Sequence, residues 1–218
     1  MLGIFNRSKA PKWKKNKTTF SPQVCGNIIP TKSTSIWLAE KSMIEYNPTL
    51  DTIITVTQYP SSIVKHCCLK YGGKIYIIDG LNGAIISFDP SSMSFCKKTN
   101  IAKLGAYPNA ICVFNKILIF NGHQNTTQYL IYDPITNKVI EHQIQPYRVN
   151  GAAALLYKNR IIILGGYDWN NQQRLKTFSM SSVIEESKVD DIPDFKIKQN
   201  WQLPVSLSQF GHALLNNT

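Results

Sequence analysis

The side chains able to do acid–base, nucleophilic or metal chemistry are few in this 218-residue chain, and their spacing is poor for it. The histidines are His66, His123, His142 and His212, and the cysteines are Cys25, Cys67, Cys68, Cys96 and Cys112. Zinc held by thiolates and imidazoles needs ligands at short fixed intervals, and no Cys-x2-Cys or His-x3-His pair occurs. His66 and His212 precede similar apolar stretches, which favours one repeated structural role, while His123 and His142 form no ligand spacing. The carboxylates gather in Asp-Pro turns and in one acidic stretch, so no paired carboxylates and no Ser-His-Asp arrangement can be drawn. We expect no enzyme, no cofactor and no bound metal. The cysteine count is odd, and the adjacent Cys67 and Cys68 would point to opposite faces of a strand. The thiols therefore read as reduced, small apolar groups, and the protein as cytoplasmic.

What remains is recognition chemistry. Tyrosine, tryptophan and arginine dominate protein interfaces because each brings a large area and a polar handle at low entropic cost. Trp169 stands out, since it sits among Asp, Asn and Gln and has no evident core role; packing against a neighbouring element is the alternative. Tyr107 and Tyr147 occupy equivalent places before successive strands, either as partner contacts or as one repeated structural feature. With His123, Arg148 and Asp168 they make the candidate partner-binding set: Tyr107, His123, Tyr147, Arg148, Asp168 and Trp169. Tyr59 and Asn82 belong to the same loops.

The elements that must position these residues recur. GKIYIIDG, NKILIFNG and NRIIILGG end at Gly80, Gly122 and Gly166, at intervals of 42 and 44. A second marker keeps the same drifting period: Tyr46-Asn47-Pro48, Phe88-Asp89-Pro90 and Tyr132-Asp133-Pro134, with Phe178-Ser179 in the corresponding place. A period of this size marks a repeat architecture. The clearest unit reads as four strands, 66–71, 74–78, 84–88 and 93–97, separated by turn residues. The second strands are continuously apolar rather than alternating, so each is covered on both faces. A radial stack of sheets does this, because every sheet lies between two others.

From about Met43 onward, the order of apolar strand, glycine doublet, aromatic, Asp-Pro and distal tryptophan resembles the kelch repeat. That resemblance implies an all-β fold, a β-propeller of four-stranded antiparallel blades. Complete blades are expected at about 61–103, 104–145 and 146–204, with partial blades at both ends, the first made from 43–46 and 52–56; residues 28–30 and 35–38 could be strands of a degenerate blade, though no glycine doublet accompanies them. Only Gly165-Gly166 keeps both glycines; Asp79 and Asn121 replace the first elsewhere, as residues that tolerate a left-handed backbone. The distal tryptophan is Trp201, in the place taken by Phe95 and Val139 in the preceding repeats. Residues 210–215 resemble the opening of a further blade, and a truncated propeller would self-associate through its open edges.

Charge is uneven along the chain. Of 24 basic residues, six fall in the first 17 positions with no acid among them, and the net charge is +11. Residues 1–20 read as a disordered basic tail, at most a weak contact for an anionic partner, and 21–218 as the propeller. No apolar run is long enough to span a membrane. Between Phe178 and Trp201 lies an insertion with Glu185, Glu186, Asp190, Asp191 and Asp194, expected to be a solvated excursion. The expected function is a non-catalytic scaffold that binds a protein partner through its loop face. Two alternatives come with the kelch resemblance: the substrate-recognition propeller of a ubiquitin ligase within a longer protein, and a propeller enzyme like the galactose oxidases or sialic-acid mutarotases.

Overall fold

The computed structural model describes residues 27–30, 35–38, 42–47, 49–59, 66–101, 104–120, 128–143, 151–168, 171–181, 184–185 and 196–207. Among these, every regular element is a strand. The first sheet comprises β1 (Asn27–Pro30), β2 (Ser35–Leu38), β3 (Ser42–Asn47) and β4 (Thr52–Gln58), antiparallel and in chain order. The second comprises β5 (Cys67–Tyr71), β6 (Lys74–Asp79), β7 (Ala84–Asp89) and β8 (Ser94–Asn100). The third comprises β9 (Asn109–Val113), β10 (Lys116–Phe120), β11 (Gln128–Tyr132) and β12 (Val139–Gln143). In the fourth, β13 (Ala153–Tyr157), β14 (Arg160–Leu164), β16 (Gln173–Met180) and β17 (Lys196–Leu207) pair in turn, and the short β15 (Tyr167–Asp168) adds to β16.

The first sheet corrects the expectation of a partial blade at the N-terminal end. Asn27–Leu38 forms a hairpin paired from Asn27↔Leu38 to Pro30↔Ser35, and β2 then pairs with β3. No glycine doublet marks it. What replaces the marker is burial: Ile36 is buried with Met43 against Ile75, Ile77 and Phe88 of the second sheet. The partial blade expected around residues 210–215 lies outside the described residues.

Successive sheets pack face to face through three apolar clusters. Ile36, Met43 and Tyr59 meet Ile75, Ile77, Ala84 and Ile86. Tyr76, Ile78, Ile85 and Leu104 meet Ile117, Ile119, Leu130 and Tyr132. Ile111, Leu118, Phe120 and Ile131 meet Ala152, Ala154, Ile161 and Ile163. Alternate residues of one strand thus enter opposite clusters, as pleat geometry requires. This is why β6 and β10 are apolar throughout: Ile75–Ile78 and Ile117–Phe120 are all buried. Each such side chain contributes about 1.5–3 kcal/mol relative to exposure. In β14 only Ile161 and Ile163 are buried, while Ile162 and Leu164 are half-buried. The first strands β1, β5, β9 and β13 lie beside one another in sequence, so the sheets radiate from that row.

The second sequence marker builds the turn at the far end of each third strand. Asn47 Oδ1 accepts from the amides of Thr49 and Leu50 at 2.9 and 3.1 Å. Asp89 accepts from Ser91 N at 2.9 Å, and Asp133 from Ile135 N and Thr136 N at 2.8 and 3.2 Å. These side chains supply the acceptors that a tight turn leaves missing. Five residues after each aromatic the backbone turns left-handed, at Asp51 (φ 52°), Met93 (φ 53°) and Asn137 (φ 59°). The Tyr46 hydroxyl donates to Asp51, and the Tyr132 hydroxyl donates to Asn137 at 2.7 Å. A lysine opening the second strand faces the same turn: Lys74 lies 3.8 Å from Asp89, and Lys116 lies 2.9 Å from Asp133.

The insertion is only partly the excursion expected. Ile184 is buried in the cluster between the third and fourth sheets, and its amide donates to Asn159 O at 2.7 Å. Ser181 N donates to Ile161 O at 2.9 Å, and Ser181 Oγ accepts from Ile161 N at 2.9 Å. An apolar anchor immediately before the first acid, Glu185, explains the difference. Residues 186–195 lie outside the described residues.

Glycine at position 80 is required by crowding. A Cβ there would strike the carbonyl of Gly105 and touch the Pro108 ring, whereas at Gly72 it would meet nothing within 4 Å. Gly80→Ala is expected to destabilise the protein by about 3 kcal/mol through this backbone clash. Gly72→Ala (φ +55°) should lose only about 1–2 kcal/mol, the left-handed penalty for a residue with a Cβ. Urea midpoints of the two variants measure the contrast, and equal losses would contradict it.

Candidate functional site

The loops after second strands lie on the same side of the molecule as the connections between sheets, and hydrogen bonds join them. The carbonyl of Gly80 accepts from Leu104 N at 2.9 Å and from Gly105 N at 3.1 Å. Gly83 N donates to Asp79 O at 2.9 Å, and Ile101 N donates to Gly83 O at 3.0 Å. The 79–84 turn and the 101–108 connection are therefore one clamped unit. Asn109 Nδ2 donates to the carbonyl of Ala152, which ties the third sheet to the next connection in the same way.

Asp79 does not keep the left-handed backbone expected of a glycine replacement, whereas Gly165 and Gly166 do, at φ 65° and 112°. Its role is carried by the side chain. The buried carboxylate accepts from Asn82 N at 3.1 Å and Asn82 Nδ2 at 2.6 Å. Asp168 of the candidate set repeats the device, accepting from Asn171 N at 3.3 Å and Asn171 Nδ2 at 2.8 Å. Both loops are braced by an Asp-x-x-Asn pair, so Asp168 has a structural duty at the loop face.

Tyr107 is the second candidate that the structure describes. It is half-buried between Ala106 and Pro108 and adopts φ 61°, a conformation that costs a residue with a Cβ about 1–2 kcal/mol. Such strain persists only where the surroundings enforce it, and it concentrates at functional sites. His123, Tyr147, Arg148 and Trp169 lie outside the described residues. Tyr59 departs from the loop-face reading. It is 8% exposed, packs on Phe95 with ring centroids 5.5 Å apart and meets the His66 ring edge-on at 6.4 Å.

The structural role read for His66 takes the form of a buried polar group beside Tyr59. His66 is 5% exposed and stands one step beyond the Cys67↔Ile78 pair, across from buried Asp79. Burial lowers the His66 pKa, and the charge of Asp79 works in the opposite direction. Its place before an apolar stretch, shared with His212, was the signal in the sequence; its position across from Asp79 had none.

The thiols divide by depth. Burial raises the pKa of Cys67 and of Cys68, and pushes Cys112 up to about 11, so these three stay protonated and poorly nucleophilic. Cys112 Sγ donates to Lys70 O at 3.5 Å, joining the first strands of neighbouring sheets. Cys96 is exposed, and Cys25 lies outside the described residues. Among the described residues no three His, Cys, Asp or Glu side chains come together as a metal-binding group. No described helix is long and apolar enough to cross a membrane.

No protein-family model matches this chain. It is similar to Spermatocyte protein spe-26 of Caenorhabditis elegans, with 24% identity over 128 residues, or 52% of this chain. The match spans 22% of that protein's length. Among solved structures it resembles the kelch-type propeller YjhT, with a TM-score of 0.59 at 13% identity. The likeness covers 85% of this chain and 68% of YjhT. Four radiating antiparallel sheets and this likeness together define a β-propeller-like fold.

Two outcomes follow from the buried group. Because the folded pKa of His66 lies below its ordinary 6.5, the unfolded chain takes up the proton more readily. Stability therefore falls as pH drops below about 6.5. Asp89 and Asp133, whose carboxyls are held below the usual range, lose their contribution only in the more acidic carboxylate window. Urea midpoints at pH 7.5 and 5.5 should differ less in His66→Phe than in the parent; an unchanged difference would refute the assignment. The buried Tyr59 hydroxyl has no hydrogen-bond partner among the described residues. Tyr59→Phe should accordingly raise stability by about 1 kcal/mol, and a loss of that size would show a partner for the hydroxyl.

Proposed function

We propose that this chain is a non-catalytic protein-interaction scaffold, its four sheets being kelch-type blades and its loop face the partner-binding surface. The observation that carries the reading is Tyr107. A large aromatic is held in a left-handed backbone on a connection that is clamped to the neighbouring loop through Gly80. Strain at an aromatic on a rigid platform suits recognition, where pre-organisation lowers the entropic cost of binding. Trp169, Arg148, Tyr147 and His123 join it on the sequence argument, as residue types that anchor interfaces. Asp168 shapes the loop that carries Trp169.

The kelch assignment is supported by the recurrence of one polar turn at Asn47, Asp89 and Asp133 and by the likeness to YjhT. The free thiols among the described residues support a reducing, cytoplasmic setting. The elevated pKa of three of them favours binding over thiol chemistry.

The test separates binding from folding. Tyr107→Gly should stay folded, with a stability within about 2 kcal/mol of the parent, because the strain that glycine relieves at φ 61° offsets side-chain contacts and chain entropy lost with the tyrosine. The same variant should recover less partner in quantitative affinity capture from the source organism, as should Trp169→Ala and Arg148→Ala. Equal recovery of the same proteins by all three variants would place the site elsewhere.

A further inference from the structure

We propose that His66 and Asp79 form a pH-dependent latch on the loop face: protonated His66 takes the Asp79 carboxylate from Asn82 and so loosens the clamp between the 79–84 turn and the 101–108 connection. The pairing of β5 with β6 sets the two residues against each other. Cys67↔Ile78 and Cys68↔Ile77 are antiparallel partners, so one step outward His66 stands opposite Asp79. Side chains alternate along a strand, which puts both on the face that Cys68 and Ile77 turn toward the first sheet. Directly opposed positions hold Cβ atoms about 4.5–5.5 Å apart, within reach of an imidazole and a carboxylate.

The same carboxylate already anchors the turn. Asn82 N donates to it at 3.1 Å and Asn82 Nδ2 at 2.6 Å. That turn carries the clamp, since Gly80 O accepts from Leu104 N and Gly105 N, and Gly83 O accepts from Ile101 N. Two residues beyond Gly105 stands Tyr107, in its left-handed backbone. One buried acceptor thus has two claimants, one on β5 and one in the turn.

Solvation settles which claimant wins in acid. His66 and Asp79 are 5% and 1% exposed, whereas Asn82 is exposed. A buried imidazolium is costly without a counter-charge, while the released donors of Asn82 pass to water at little cost. Charge-assisted hydrogen bonds are also stronger than neutral ones. The described titratable groups that face His66 from neighbouring elements stay neutral. Burial holds the Tyr59 hydroxyl and the Cys67 and Cys68 thiols in their protonated forms, and Phe95 behind Tyr59 is apolar. β1 and β9 also approach β5, and Cys112 of β9, pushed up to about 11, is neutral as well. Asp79 is the charge that acts on His66, against the burial that lowers its pKa, so the latch opens below the ordinary 6.5. It does not depend on what the loop face binds.

Nuclear magnetic resonance of the isotope-labelled full chain tests it. Between pH 7.5 and 5.5, amide exchange corrected for its intrinsic rate should quicken about tenfold at Asn82, Gly83, Leu104 and Gly105, and less at Leu118 and Ile119 in the core. Linkage makes the effect reciprocal, so removing the competitor in Asn82→Ala should raise the proton affinity of His66 about three- to tenfold, read from its imidazole proton shifts. In that variant the clamp should be loose at both pH values. Asp79→Asn, which removes the counter-charge and keeps an acceptor, should abolish the pH step, and it decides the matter if Asn82→Ala fails to fold. An unchanged His66 pKa in Asn82→Ala, or a pH step that survives in Asp79→Asn, overturns the proposal. Clamp amides as well protected at pH 5.5 as at 7.5 overturn it too, since the imidazolium would then join the carboxylate without displacing Asn82. An equal loss of protection at Leu118 and Ile119 would mark global unfolding and overturn it likewise.

Discussion

Contact between successive sheets, through strands apolar on both faces, is the constraint on which this molecule depends. Ile75 and Ile77 bury against the first sheet while Tyr76 and Ile78 bury against the third. A sheet with two buried faces cannot be stable alone, since it would expose one whole face to water. Each repeat therefore needs its neighbours, and the fold exists only as a stack. The half-buried Ile162 and Leu164 of β14 show the contrast with β6 and β10, whose corresponding residues are fully enclosed.

Once the faces are committed to packing, polar chemistry is left to the two ends of each sheet. At one end Asn47, Asp89 and Asp133 close the turns, with Lys74 and Lys116 beside two of them. The exposed Lys74–Asp89 pair adds little, as surface pairs do, whereas Lys116 and Asp133 are both largely covered and lie 2.9 Å apart. Burial works to raise the Asp133 carboxyl, but Lys116, Thr136 and the turn amides outweigh it. At the other end the loops are bound to one another through Gly80 and through paired Asp and Asn side chains. These bonds hold the loops at that end in one arrangement.

Much of this was legible in the chain because it follows from local rules. The strands read at 74–78 and 84–88 end within one residue of β6 and β7, since turn residues and apolar runs bound them. Other features were illegible for specific reasons. The strands of the first hairpin could be read at 28–30 and 35–38, but not their membership of the first sheet, which lacks the glycine marker and is held by Ile36 and Met43 packing on residues some 40 positions away. Tyr59 looked like a loop residue beside Pro60, yet it fills the space next to Phe95 and His66. Ile184 sits among acids in sequence and within an apolar cluster in space. Of the candidate site, Tyr107 and Asp168 could be placed, and a strained backbone at the one and a turn brace at the other were invisible in their residue types.

The sequence by itself determined the period, the four-strand unit and the double-faced burial, because strand pleat and turn chemistry are written within a few residues. Only the tertiary structure decided why glycine stands at position 80. There the backbone of residue 105 crosses too close for any side chain, and such a crossing has no local signature. It also decided that Asp79 serves by its carboxylate rather than by its backbone. Which residues meet, and which edges stay open, depends on where distant segments arrive after folding.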